Sequence, residues 1–348
     1  MIKFSKPNAE YISIKAELLS EEGNSTWVES AKKISAVYRQ QPSRTQCVAC
    51  DETIGDPIFT LHEVEYAVCS RCGHLNGIYE DTAEFTEGLY EEDGSDNVKV
   101  YGEETKEAYW SRVQDIYAPK ADFLFESLAE VGESPDKLRY IDIGAGGGHF
   151  VAALRKKGLV ESIGYEASVG LVDNANAVQD AQVLRVIPSS DLNGLVEDLD
   201  CDVLTMIFSL EHIREVRGFL QALRDNRRIK YFFFSVPLFN PSVFLEIASP
   251  EIMPRTAGAG HTHLFSSSSI DHICQEFGLK RASEWWFGGN AFDLYRQSAL
   301  RLQMTGSGEK CVEEFKAMML PLVDDLQQVF DKHRRSSEVH VLTALDRG

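Results

Sequence analysis

Short apolar runs alternate with amphipathic runs along residues 136–348. Tyr140–Ile143 is apolar apart from Asp142 and enters a glycine-rich turn, and apolar residues then recur at helical spacing. The later apolar runs are ESIGYEAS, AQVLRVIPSSDL, CDVLTMIF, IKYFFFSVP, LKRASEWWFG and EVHVLTAL. Strands that alternate with helices in this way predict a doubly wound α/β sheet. We therefore expect a seven-stranded sheet over residues 136–348.

The glycine-rich turn after the first strand lies in RYIDIGAGGGHFVAALRKKG. The dinucleotide pattern G-x-G-x-x-G would need a glycine at position 149, where His149 stands. The spacing is instead D-x-G-x-G-x-G, starting at Asp142. This arrangement resembles motif I of the class I S-adenosylmethionine-dependent methyltransferases, which have a Rossmann-like fold. The resemblance implies that the turn packs against the methionine and ribose portions of S-adenosylmethionine.

Acids at the ends of the next two strands extend the resemblance. Glu166 ends the second strand, where a carboxylate can accept hydrogen bonds from ribose hydroxyls. Asp191 follows the third strand, where the family places an acid against the adenine amino group. The predicted cofactor contacts are Asp142, Gly144, Ala145, Gly146, Gly148, Glu166, Asp191 and Phe208.

The fourth strand ends in an adjacent acid and base. Seven of the eight residues from Val203 to Leu210 are apolar or threonine, and Glu211 and His212 follow. The carboxyl ends of strands in open α/β sheets form the ligand-binding crevice. We expect His212 to act as a general base and Glu211 to orient it or to cap the next helix. A purely structural role for the pair is the alternative.

The acceptor side is predicted from polar residues in three segments. Residues 239–265 are rich in proline and glycine and contain His261 and His263, which is typical of a lid loop. A helical insertion is expected over 291–336. The predicted substrate contacts are Tyr90, Tyr101, His261, His263, Asn290, Asp293 and Arg296.

Four of the seven cysteines form two C-x2-C pairs eighteen residues apart. Cys47 and Cys50 stand in CVAC, and Cys69 and Cys72 stand in CSRC. This spacing predicts a zinc ribbon over residues 46–80, with all four thiolates bound to one structural Zn²⁺. Residues 1–45 are expected to be helical or extended, and residues 81–135 to form an acidic connector with a helix.

Composition restricts the partners. The 348 residues carry a formal net charge of -19, and eleven acids against two lysines stand between Glu80 and Glu107. This balance disfavours binding to nucleic acid or to anionic lipid. The chain has no apolar run of about 18 residues, and its start lacks the apolar core of a signal peptide. We therefore expect a cytoplasmic protein without a membrane span.

The order of these segments resembles the zinc-ribbon methyltransferases of sugar and surface-polysaccharide biosynthesis, which share patterns similar to HTHLFSSSSI and EHI. The resemblance implies methyl transfer to a small polar acceptor, such as a nucleotide-linked sugar or a glycan precursor. Two alternatives remain open: an RNA methyltransferase with a ribbon for recognition, and a non-catalytic scaffold. The methylated atom and the oligomeric state are also left open.

Overall fold

The structure of the protein, a computed structural model, describes residues 1–7, 19–90, 104–258 and 260–346. Its strands, in chain order, are β1 (Ile2–Phe4), β2 (Phe59–Leu61), β3 (Val64–Val68), β4 (Leu75–Gly77), β5 (Tyr140–Ile143), β6 (Ile163–Glu166), β7 (Leu184–Val186), β8 (Val203–Ile207), β9 (Tyr231–Pro237), β10 (His263–Leu264), β11 (Leu279–Phe287) and β12 (Glu338–Leu345). They form two sheets of eight and four strands within the described residues.

The helices of the described residues all lie between β1 and β12 along the chain. In chain order they are α1 (Glu21–Tyr38), α2 (Ala83–Tyr90), α3 (Lys106–Arg112), α4 (Ala118–Glu130), α5 (His149–Lys156), α6 (Val169–Gln179), α7 (Leu192–Asp198), α8 (Val216–Asp225), α9 (Pro241–Ala248), α10 (Ser267–Glu276), α11 (Asn290–Met304), α12 (Glu309–Met319) and α13 (Val323–Lys332). None of them is both long and apolar enough to cross a bilayer.

The large sheet has the spatial order β1-β11-β12-β9-β8-β5-β6-β7. Neighbours from β9 through β7 pair in parallel, whereas β12 runs antiparallel to both β9 and β11. The predicted α/β class is therefore confirmed. The predicted count of seven strands is wrong, because Ile2–Phe4 pairs in parallel with the outer edge of β11 and adds an eighth. Three residues are too few to show a recognisable alternation of apolar and polar positions.

The centre of the sheet is apolar on both faces. In β9, Phe232, Phe233 and Phe234 are fully buried, as expected of a strand that has helices on both sides. Helix α8 turns Phe219 and Leu223 towards this core.

Hydrogen bonds of serine and arginine side chains fix the neighbouring helices. Ser266 and Ser269 form the capping box at the start of α10. Arg217 on α8 binds Glu276 at the end of α10 and Asp51 beside the first cysteine pair. These contacts attach the cysteine-rich segment to the large sheet.

The small sheet has the antiparallel order β10-β4-β3-β2. Its first three strands along the chain come from residues 59–77, within the predicted ribbon, but β10 belongs to the segment predicted as a lid. That segment also contains helix α9, which starts at the N-cap Asn240 and Pro241. Between β11 and β12, where the insertion is predicted, lie α11, α12 and α13.

We predict that Gly77→Ala will weaken the pairing between β4 and the segment that leads into β10. A Cβ atom at Gly77 would lie 2.7 Å from the Thr262 carbonyl oxygen and 2.8 Å from Tyr38 Oη. Because a backbone atom must then move, we expect a loss of about 1–3 kcal/mol in the free energy of unfolding, measured by urea titration. Gly88→Ala is the control, since its Cβ would meet nothing within 4 Å and helix α2 should gain stability. Equal unfolding midpoints for the two variants would contradict the prediction.

Candidate active site

A cavity of about 630 Å³ opens at the carboxyl ends of the parallel strands. The predicted residues that line it are Asp142, Gly144, Ala145, Gly146, Glu166, Phe208, Glu211, His212 and His261. Open α/β sheets bind their ligands at this edge. The cofactor side and part of the predicted acceptor side therefore share one cavity.

The glycine turn needs glycine at its first position for two reasons. Gly144 has a φ of +64°, and a Cβ atom there would lie 2.5 Å from the Cβ of Ser209. Ser209 cannot move away easily, because its hydroxyl donates to the Ile143 carbonyl at 3.0 Å. This hydrogen bond holds the residue after β8 against the end of β5. The glycine turn itself lines the cavity.

The Glu166 carboxylate holds this turn in place through three hydrogen bonds from backbone N–H groups. One carboxylate oxygen accepts the Gly146 N–H at 2.8 Å, and the other accepts the N–H groups of Ala167 and Ser168 at 2.9 and 3.1 Å. A carboxylate offers about four lone-pair positions, so it retains capacity for ligand hydroxyls. The acid predicted to bind ribose therefore also shapes the loop that would hold the rest of the cofactor.

Asp142 lies at the bottom of the cavity, buried beside Thr205. The Thr205 hydroxyl donates to its carboxylate at 2.5 Å. Burial, with a smaller contribution from the charge of Glu166, raises the pKa of Asp142 to about 7, although the Thr205 hydrogen bond and the charge of Lys120 oppose this shift. Lys120 is a residue that the sequence reading missed. Its burial lowers its pKa to about 7.

Phe208 stands in a strained conformation between these groups. Its φ of +57° is rare for a bulky residue, and such strain concentrates at functional sites. The ammonium of Lys120 lies 4.8 Å from the Phe208 ring and 4.5 Å from the Tyr117 ring. The signal for Lys120 was a lone lysine on the apolar face of α4.

Two predicted cofactor residues do not line the cavity. Asp191 is exposed and accepts a hydrogen bond from Ser190, although Ser190 itself borders the cavity. Gly148 faces α6 and β7, and its φ of +72° starts helix α5.

The residue after the glycine turn binds an acid from the connector. The His149 imidazole stacks on Tyr109 with ring centroids 4.3 Å apart, and its Nε2 lies 2.9 Å from the Glu104 carboxylate. Burial raises the pKa of Glu104, but hydrogen bonds from His149 and Arg112 outweigh it and leave the pKa below its usual value. A negative charge therefore lies beside the first residue of α5.

Glu211, His212 and His261 meet at the other end of the cavity. One ligand-type atom from each lies within 4.8 Å of the others, and the two imidazoles stack with centroids 5.4 Å apart and planes 12° apart. Burial, with a smaller contribution from the charge of Glu338, raises the pKa of Glu211 to about 8. The pKa of His212 is lowered by burial and by His261. The sequence placed His261 on a different segment from the adjacent Glu211 and His212, and the fold brings the three together.

Arg255 is a second residue that the sequence reading missed. Its guanidinium makes two bonds to the Asp293 carboxylate, at 2.9 and 3.1 Å, and one to Glu338 at 3.2 Å. The buried Glu246 accepts the backbone N–H groups of Arg255 and Thr256 at 2.8 and 2.7 Å and so holds this turn. The available signal was that Arg255 is the only lysine or arginine within 239–265.

The polar residues predicted on α11 are buried and bonded within the protein. Asn290 donates to Asn240, Asp293 holds Arg255, and Arg296 donates to the Met253 carbonyl at 2.8 Å. None of the three lines the described part of the cavity.

The remaining predicted substrate residues lie elsewhere. His263 stands in β10, where its Nδ1 lies 2.9 Å from His74 Nε2, away from the cavity lining. Tyr101 and the side chain of Tyr90 lie outside the described residues.

The four ribbon cysteines form a second cluster of possible ligand atoms. All four are buried, and their sulfur atoms lie within 4.8 Å of one another, with 3.6 Å between Cys47 and Cys72 and 3.5 Å between Cys50 and Cys69. Zn–S bonds of 2.3 Å in a tetrahedron place sulfur atoms about 3.8 Å apart. The spacing of the cluster therefore fits a zinc ion.

The sequence matches a family model described as "Methyltransferase domain" over residues 109–284, just over half of the chain. No curated protein matches the chain.

Solved methyltransferase structures match the chain at low sequence identity and low TM-score. A putative sarcosine dimethylglycine methyltransferase from Galdieria sulphuraria has a TM-score of 0.43 at 16% identity, over 66% of this chain and 86% of the other. The Haloferax volcanii complex of the Trm112 methyltransferase activator and a putative methyltransferase gives 0.43, at 14% identity, over 73% and 97%. Magnesium protoporphyrin IX methyltransferase from Synechocystis PCC 6803, with bound SAH, gives 0.38, at 17% identity, over 54% and 90%.

We predict that Glu166→Gln will raise the dissociation constant for S-adenosylmethionine about 10–100-fold, measured by calorimetry. An amide has one acceptor oxygen where the carboxylate has two, so both the turn and a ribose contact lose charge-assisted hydrogen bonds. Glu161→Gln, an exposed acid just before β6, is the control and should bind like the unchanged protein. An unaltered constant for Glu166→Gln would remove the acid from the cofactor site.

Proposed function

The chain belongs to the methyltransferase-domain family and is an S-adenosylmethionine-dependent methyltransferase, and we propose that it methylates a nucleotide-linked sugar or glycan precursor of surface polysaccharide. One observation carries the proposal. The cavity that holds the glycine turn and Glu166 ends in the polar cluster of Glu211, His212 and His261. A cofactor bound along the turn would leave this cluster to a small polar acceptor.

The charge of the protein favours a sugar acceptor over RNA. A protein that binds RNA needs a cationic surface, whereas this chain has a net charge of -19. Five of the described basic residues, Lys6, Arg112, Lys120, Arg214 and Arg255, do line the cavity. They suit the charged phosphates of a nucleotide-linked sugar better than a long nucleic-acid backbone, because they are confined to the crevice.

His212 is the side chain proposed to take the acceptor's proton when no metal ion is bound. Its lowered pKa keeps the imidazole neutral at pH 7, which is the form that accepts a proton. Glu211 Oε1 lies 3.9 Å from His212 Nε2 and would stabilise the imidazolium that forms. The acceptor oxygen then attacks the methyl carbon, and the electron pair of the broken C–S bond stays on sulfur.

The four cysteines are proposed to bind one structural zinc ion. Their four thiolates would complete the coordination shell, which excludes a catalytic water. The side chain of Asn76 in β4 donates to Cys47 Sγ at 3.6 Å and accepts the Val48 N–H at 3.1 Å. A bound metal would therefore also stabilise the sheet that reaches the active-site segment.

We predict that the purified protein will transfer a methyl group to a member of a nucleotide-sugar panel and to no RNA, detected by mass spectrometry. Product from RNA but not from any sugar would contradict the proposed acceptor.

His212→Ala should lower kcat about 10²–10⁴-fold with the cofactor dissociation constant unchanged. A normal kcat for this variant would place the acceptor's activation elsewhere.

We predict one tightly bound zinc ion per chain by elemental analysis. Cys69→Ser should lose this zinc and unfold at a lower temperature, because structural zinc binding contributes directly to folding. Cys311→Ser is the control, since Cys311 is exposed and lies outside the cluster. Zinc-free protein whose four buried thiols all react quickly with a thiol reagent would refute the ribbon site.

A further inference from the structure

The Glu211, His212 and His261 cluster has the donors of a metal site as well as those of a base. Within the described residues it is one of two groups of three or more potential ligands that come close together, and the other is the four-cysteine cluster. The two are chemically distinct, because the active-site group offers one carboxylate oxygen and two imidazole nitrogens.

Glu211 provides the first sign of a missing ligand. Its side chain is 2% exposed, yet neither carboxylate oxygen makes a hydrogen bond. An unsatisfied buried polar group costs about 1–3 kcal/mol, and more when it is charged. His212 Nε2 lies 3.9 Å from Glu211 Oε1, which is beyond hydrogen-bonding distance. A cation bound at this place would satisfy the carboxylate.

The tautomer of His261 is an independent indication of a metal site. Its Nδ1 lies 2.8 Å from the Thr256 carbonyl oxygen, which can only accept, so Nδ1 carries the proton. The lone pair of the neutral ring is then on Nε2. A histidine that binds a metal typically donates its other ring N–H to a carbonyl or carboxylate in this way. Glu246 holds the backbone N–H of Thr256 and so supports the arrangement.

We propose that Glu211, His212 and His261 bind a divalent first-row transition-metal ion. Two nitrogen donors among three favour such an ion over Mg²⁺, which prefers oxygen. Ligand atoms around a tetrahedral ion lie about 3.4 Å apart, so the present separations of up to 4.8 Å must shrink by about an ångström. His212, with 24% of its side chain exposed, has room for that movement.

The nearby guanidinium does not preclude a cation. Arg255 lies close enough to lower the pKa of His261, after the larger effect of burial. Its charge, however, is matched by the carboxylates of Asp293 and Glu338. A bound metal ion would displace the proton of Glu211, and the carboxylate would then add a further negative charge; neither of its oxygens makes a hydrogen bond within the described residues.

Three protein ligands leave at least one coordination position open to the cavity. An acceptor hydroxyl bound there would ionise more easily, its proton would pass to solvent water, and its oxygen would attack the methyl carbon while the C–S electron pair returns to sulfur. His212 would then be a ligand, and the base role proposed above would pass to the metal site. This inference rests on the proposed methyl transfer.

Binding of Mn²⁺, followed by electron paramagnetic resonance on the full chain with its ribbon zinc in place, tests the site directly. Thiolates prefer zinc, so Mn²⁺ should report on the nitrogen and oxygen site alone. We expect one Mn²⁺ per chain, with affinity reduced at least about 10-fold by Glu211→Gln and by His261→Ala. His333→Ala, an exposed histidine outside the cluster, should bind Mn²⁺ normally. Calorimetry with S-adenosylmethionine establishes that each variant is folded.

Three results would overturn the metal proposal: no Mn²⁺ bound, Mn²⁺ bound equally by both cluster variants, or full methyl transfer by protein whose zinc content proves that only the ribbon is loaded. The last result leaves the proposed function intact. Conversely, Mn²⁺ binding that depends on Glu211 and His261, with no sugar methylated, would support the metal site and refute the acceptor.

Discussion

Backbone pairing between β10 and β4 is the interaction on which the acceptor end of the cavity depends. His263 pairs with Asn76, and the Gly77 N–H donates to the Thr262 carbonyl at 2.8 Å. His261 stands two residues before β10, so the cysteine-rich sheet fixes its position, whereas His212 follows β8 of the large sheet. The two imidazoles therefore stack only because the two sheets are joined. Asn76 also donates to Cys47 Sγ, so the cysteine cluster is connected to this strand pair and through it to the segment that carries His261.

Buried carboxylates hold the segment that carries Arg255 and His261. Glu246 is fully buried and accepts three backbone N–H groups, and Asp293 accepts both arms of the Arg255 guanidinium. Removing one member of such a network leaves its partners unsatisfied, which costs more than the bond itself is worth. The segment contains prolines and glycines, but these contacts give it one defined geometry.

The sequence was sufficient to predict the positions of residues that stand at the carboxyl ends of strands. Gly144, Glu166 and His212 each follow a strand, and the carboxyl ends of parallel strands meet at one edge, so pattern alone placed them together. It was uninformative where partners are distant in the chain. The pattern predicted Asn290 and Asp293 as substrate contacts, yet they are bonded to Asn240 and Arg255, which stand 50 and 38 positions away. Helix α9 was hidden because the prolines around it are typical of a loop.

The acid beside His149 has a consequence for cofactor selectivity. In dinucleotide-binding proteins the pyrophosphate is attracted to the positive end of the helix that follows the glycine turn. Here the Glu104 carboxylate binds the first residue of that helix and stays ionised at neutral pH. Arg112 pairs with the same carboxylate and lines the cavity, so the start of this helix carries no unpaired negative charge. A pyrophosphate placed there would have to compete with Glu104 for His149 and Arg112, whereas S-adenosylmethionine carries no phosphate and would leave these contacts intact.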